Sequence, residues 1–218
     1  MNQIHKLTFF KKIIILLVLL FSYTSICAYS YVNAISNSLS TNIFRLHIIA
    51  NSDSSEDQDL KYAVRDEIIK YMNSITQNCT SKEEVISLVY KNLSKFQEIA
   101  QKVVSENNFN YNVSVSVGNF SFPTKTYGDI ALPAGYYDAL HIEIGNASGQ
   151  NWWCVLFPPL CFVDVSSGIV PDKSKELFKN NFSDEEFQIV SDNSPEITFK
   201  FKLIEFFANV ANTLTAKK

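Results

Sequence analysis

NWWCVLFPPLCF, residues 151–162, holds both tryptophans of the chain, two of its four cysteines and two of its six prolines. No side chain between Trp152 and Phe162 is polar. Each Å² of apolar surface left in water costs about 25 cal/mol, so the segment belongs in a core or against a partner. Working outward, Gly145–Gln150 is a polar turn, and before it Tyr137–Ile144 has period two with Leu140, Ile142 and Ile144 on one face. This pattern predicts a hairpin between Ala139–Ile144 and Trp152–Phe157, with the unalternating run as the central, doubly covered strand. In that strand Trp152, Cys154 and Leu156 face one layer and Trp153, Val155 and Phe157 the other. Trp152, Trp153 and Phe157 are the expected structural core.

Further strands and helices read off the same periodicities. Ile43–Ala50 alternates, with Phe44, Leu46 and Ile48 on an apolar face and Arg45 and His47 on a mixed one. The polar stretch Asn51–Ser55 follows, and Ser55 and Gln58 have capping-box spacing. Leu60, Val64, Ile68 and Tyr71 then share one helical face, leaving Lys61, Arg65, Asp66 and Lys70 towards water. Ser81 and Glu84 form a second box opening a longer helix with the stripe Val85, Leu88, Val89, Leu93, Phe96, Ala100 and Val103. Tyr111–Val117 is a strand with Asn112, Ser114 and Ser116 exposed, and Phe120–Tyr127 continues as a strand interrupted at Pro123. Leu132–Gly135 reads as a tight turn whose glycine supplies positive φ. Short helices are expected near Lys173–Phe178 and Asp184–Gln188, then a strand at Ile197–Leu203 and a helix from Ile204 to about Leu214.

The N-terminus carries Lys6, Lys11 and Lys12 ahead of an unbroken apolar run, Ile13–Phe21, which is the pattern of an export signal. Cleavage after Ser30 and retention as an anchor are both open, although a full span takes about twenty apolar residues. The expected organisation is 1–30 signal peptide or membrane anchor, 31–42 polar linker and 43–218 one globular domain. That domain is α/β of the α+β type, a mixed or antiparallel sheet with two amphipathic helices packed on it. Residues 1–30 hold three lysines and no acid, so their removal moves the net charge from −3 to −6. An acidic chain with no basic face excludes nucleic acid as a natural partner.

Cys154 and Cys161, with six residues between them, read as a disulfide or as two buried thiols in an oxidising compartment. The functional alternative is a nucleophilic Cys154 assisted by His47 or His141, against which an apolar setting raises a thiol pKa. A metal drawn from His47, Asp53, His141 and Glu143 has no supporting ligand spacing. No nucleophile elbow or phosphate-cradling glycine loop occurs. The residues therefore point to a non-enzymatic binding protein without metal, cofactor or small-molecule substrate.

Four stretches together resemble one family: FRLHIIANSD (44–53), KYAVRD (61–66), Tyr127-Gly128-Asp129 with Leu132–Gly135, and above all NWWCVLFPPLCFVD (151–164). They are similar to stage II sporulation protein R of endospore-forming Firmicutes, over about Ile43–Leu203. The resemblance implies a signalling protein exported from the forespore into the space between forespore and mother cell. There it would trigger a membrane-embedded aspartic protease of the mother-cell septal membrane, of the stage II sporulation protein GA type, which processes the precursor of sigma factor E. No catalytic residue is implied. Polar or loop residues inside these motifs, Arg45, His47, Asn51, Asp53, Tyr127 and Asp129, are the expected partner contacts. The competing reading is an exported envelope enzyme, a thiol hydrolase using Cys154, and a third is a membrane-surface module using Phe199–Phe207.

Overall fold

The computed structural model describes residues 2–128, 130–161 and 172–191. The chain begins with one long helix, α1 (Asn2–Asn42), whose segment Phe9–Cys27 has a mean hydropathy of 1.9 and is not buried. That segment is long and apolar enough to cross a membrane. Contacts divide the chain after Asn37. The polar stretch expected as a linker is thus helical to Asn42, and its last turn lies in the domain with Leu39 fully buried.

The domain then runs β1 (Phe44–Ile49), α2 (Ser55–Thr76), α3 (Lys82–Lys91), α4 (Leu93–Glu106), β2 (Val113–Phe122), β3 (Lys125–Tyr127), β4 (Ile130–Leu132), β5 (Gly135–Ile144), β6 (Asn151–Phe157), α5 (Asp172–Asn181) and α6 (Asp184–Ser191). Four strands form one sheet in the order β2-β5-β1-β6, and β3 pairs with β4 separately. β1 is parallel to β5 and antiparallel to β6, and β2 is antiparallel to β5, so the sheet is mixed and the class is α+β. The helices α2–α4 supply apolar stripes to one face, where Leu46, Ile48, Leu140, Ile142 and Ile144 meet Leu60, Val64, Val89 and Phe96 in one core.

The expected hairpin does not form: β1 lies between β5 and β6, and β6 is an edge strand rather than a central one. The loop Gly145–Gln150 crosses the end of β1 instead of turning tightly, and β1 holds it there. Ser148 N donates to Asn51 O (3.3 Å), Gly149 N to Ala50 O (2.9 Å) and Asn146 N to Asn51 Oδ1 (2.9 Å). A side chain at Gly149 would meet the Ser52 carbonyl at 2.1 Å, so glycine is required for this close approach. In β6 the register slips beside Arg45, where Val155 pairs with it and Phe157 pairs with Phe44. This bulge turns Phe157 into the helix-side core with Cys154 and Leu156, not to the opposite layer as strict alternation predicts.

Other boundaries differ for local reasons. Ser54, not Ser55, caps α2, its hydroxyl accepting from Asp57 N, while Ser81 caps α3 through Glu84 N. The long second helix breaks at Asn92, whose amide returns to Leu88 O (2.8 Å) and accepts from Tyr71 Oη (2.9 Å). Three helices, rather than two, therefore cover the sheet. β2 runs through Gly118-Asn119 and stops before Pro123. Among the described residues the glycines with positive φ are Gly128 and Gly145, whereas Gly135 opens β5 as ordinary extended backbone. The helices expected near 173–178 and 184–188 are present as α5 and α6. The strand and helix expected at 197–214, and the Phe199–Phe207 surface, lie outside the described residues.

Candidate functional site

The sheet face away from α2–α4 carries the polar residues of β1. Arg45 and His47 share it with Ala139 and His141 of β5 and with Trp153 and Val155 of β6. The expectation that Arg45 and His47 present a solvated surface is corrected: Arg45 is 0% exposed and His47 is 7% exposed. The cause is an aromatic cover. The Arg45 guanidinium lies 4.1 Å from the ring of Phe122, 4.8 Å from Tyr137 and 5.8 Å from Tyr127, and its Nη2 donates to Tyr127 Oη at 2.6 Å. Its Nε and Nη1 have no hydrogen-bond partner among the described residues. Cation–π attraction from three rings surrounds this buried charge, where a carboxylate is the usual partner. Tyr127 also donates to Trp153 O (3.3 Å), fastening β3 to β6.

One row further along, the His47 ring stacks between Trp153 (3.7 Å) and His141 (4.6 Å). Its Nε2 donates to Asn151 Oδ1 at 2.6 Å, since an amide oxygen only accepts. Burial, with smaller contributions from His141 and Arg45, outweighs that bond and lowers the His47 pKa to about 4. His141 is also lowered by burial, partly offset by Glu143, whose carboxylate is 3.9 Å away. A pKa near 4 leaves the His47 imidazole neutral and only weakly basic at neutral pH. Among the described residues no group of three or more His, Cys, Asp and Glu is placed to hold a metal.

Asn51 and Asp57 form a second polar centre. Asp57 Oδ2 accepts from Asn51 Nδ2 (2.8 Å) and Ser52 Oγ (2.5 Å), while Asn51 Oδ1 holds the Gly145–Gln150 loop. Burial pushes the Asp57 pKa up, but the bonds from Ser52, Asn51 and others outweigh it and the net shift is downward. Asn51 thus ties the end of β1 to α2 and to the loop before β6. Asp53 beside it is exposed, and Asp129 lies outside the described residues. The five expected contacts among the described residues do not form one patch.

Cys154 and Cys161 are joined as a disulfide, with Cα atoms 5.6 Å apart. Cys154 is buried, so no free thiolate is available there for the competing hydrolase chemistry. Cys79 is unpaired, and burial and Glu84 raise its thiol pKa.

Among the described residues a cleft of about 1040 Å³ opens between α2, β3 and the first residues of β6, with Leu160 and the disulfide cysteines in its lining. Sequence reasoning missed it by placing Lys61 and Arg65 in water. Lys61 is 1% exposed, its Nζ donating to Gln58 Oε1 (2.6 Å) and Gln150 O (3.1 Å). Arg65 stacks on Trp152 (4.5 Å) and Tyr62 (5.0 Å). The available signal was the position of Lys61 beside Leu60, one helical turn from Val64, on the border of the apolar stripe.

An apolar N-terminal helix leads into one α+β domain whose polar residues fasten strands and loops, and no catalytic cluster stands open among the described residues. The family description stage II sporulation protein R matches residues 40–167. A curated relative, stage II sporulation protein R of Bacillus subtilis (strain 168), is 43% identical over 137 residues, which are 62% of this chain and 61% of the relative. The chain belongs to the stage II sporulation protein R family, and the match spans about three fifths of the length of the curated relative. No solved structure matches it.

Proposed function

We propose that the protein is an exported sporulation signal that switches on a membrane-embedded aspartic protease of the stage II sporulation protein GA type, and so leads to processing of the sigma factor E precursor. The observation that carries this reading is family membership across residues 40–167, which takes in the Trp-Trp-Cys segment and the domain's whole sheet. The apolar helix segment Phe9–Cys27 supports an export route from the forespore into the intermembrane space. In so narrow a space effective concentration is high, and modest affinity suffices.

A binding activator has to prefer the active state of its target, because a ligand that binds both states equally shifts nothing. The chain therefore acts by contact and not by chemistry, which accords with a disulfide-bound Cys154 and a neutral, buried His47. Of the residues named from sequence, exposed Asp53 and cleft-lining Tyr127 stay in the contact proposal, while Arg45, His47 and Asn51 support it from beneath. The test is reconstitution of the protease and sigma precursor in vesicles with and without this chain. Cleavage that depends on the chain is expected, and cleavage equal in its absence refutes the reading.

A further inference from the structure

We propose that the cleft between α2, β3 and β6 docks an extended acidic segment of the protein that this chain activates, a reading that rests on the activator function above. Four cations, Lys61, Arg65, Lys70 and Lys125, line the cleft against one carboxylate, Asp66. Asp66 is already spent on Arg65 at 2.6 Å, and Lys70 has Glu67 at 3.1 Å. Lys61, at the inner end, gives its hydrogen bonds to two neutral oxygens. Burial lowers its pKa, with Arg65 adding to the effect. Lys125 is exposed and pairs with no carboxylate among the described residues. A buried ammonium beside a stacked guanidinium gains most from an incoming carboxylate, because the site is partly desolvated.

The walls favour a peptide over a small anion. The Arg65 guanidinium lies over the rings of both Trp152 and Tyr62, and those two rings meet edge to face at 5.5 Å. Apolar side chains of a peptide find these rings to lie on, while its carboxylates meet the cations. The volume, about 1040 Å³, is at the top of the range for small-molecule sites and suits several residues of extended chain. The chain's own C-terminal stretch, 192–218, is a poor occupant by charge, with four lysines against three acids.

Both tryptophans of the chain line the cleft, so intrinsic fluorescence reads its occupancy directly. The full chain in detergent micelles is titrated with a synthetic decapeptide alternating Glu and Val, and with its Lys-Val counterpart. Saturable change with the acidic peptide, weakened by salt, and none with the basic one is expected. Equal responses to both peptides, or none to either, overturn the proposal. A signal that follows protein concentration alone assigns the cleft to a second copy. One seen only with phosphatidylglycerol vesicles assigns it to lipid, and either result overturns the proposal. In the reconstituted cleavage assay the Lys70→Glu/Lys125→Glu variant, both sites being exposed, should melt like the parent yet need about tenfold more chain for half-maximal cleavage. Unchanged half-maximal concentration defeats the cleft and leaves the activator function standing. Failure of the parent chain to stimulate cleavage defeats that function and with it the partner assignment.

Discussion

The two faces of the sheet solve burial in opposite ways. On the face under α2–α4, Leu46, Ile48, Leu140, Ile142 and Ile144 close an apolar core against helix stripes. On the other face the same strands bury Arg45, His47 and part of His141 beneath Phe120, Phe122, Tyr127, Tyr137 and Trp153. The first face depends on volume and the second on stacking, cation–π attraction and a few directed hydrogen bonds. Alternation in a strand thus decides which residues share a face, but it does not decide whether a mixed face meets water.

The largest expected effect breaks the helix face. Leu46→Ala leaves a cavity at the centre of the sheet and should cost about 3–5 kcal/mol in urea unfolding of the domain. Arg45→Met on the opposite face keeps most of the volume but loses the stacked charge and the Tyr127 bond. It should cost less, about 2 kcal/mol, and a cost equal to that of Leu46→Ala would erase the distinction between the faces. Titration sharpens it further. The folded His47 pKa is depressed to about 4 from the ordinary imidazole value of 6.5, so the unfolded chain binds the extra proton. Its contribution is fully present above about pH 6.5 and is lost as pH falls towards 4, by roughly 2 kcal/mol, and His141 adds in the same direction. Urea midpoints from pH 7 to 4.5 measure this, and His47→Phe should flatten the profile.

Smaller effects separate scaffold from contact. Replacing Cys154 and Cys161 together by serine removes a short covalent loop and should cost about 2 kcal/mol while leaving activation by the folded fraction intact. Loss of activation at full stability would instead restore the nucleophile reading. Asp53→Ala should change stability by under about 0.5 kcal/mol. Its effect on the cleavage assay then shows whether this exposed carboxylate touches the partner.

Much of the helix-side architecture was legible because period and capping are local. The Ser81 cap, the stripes of α2 and α4, and the alternation of β1 and β5 all stand as read. The strand order was not legible, since the insertion of β1 between β5 and β6 depends on bonds from Asn51 and Ala50 to a loop about a hundred residues away. Asn51 therefore looked like a contact residue when it is a tie. The burial of Arg45 was hidden for the same reason, because its cover comes from Phe122, Tyr127 and Tyr137, and no neighbour in sequence announces it. Lys61 repeats that error on a helix, a charged residue assigned to solvent that is buried in the wall of a cleft.

Activation by contact is the central claim, and reversibility tests it most directly. The chain from residue 31 is added to vesicles holding the protease and the sigma precursor until cleavage is saturated, and is then washed away. A binding activator predicts that the cleavage rate rises saturably with its concentration and returns to the basal rate on removal. Cleavage that persists undiminished after the chain is gone would mean lasting chemical modification of the protease, and would contradict the account.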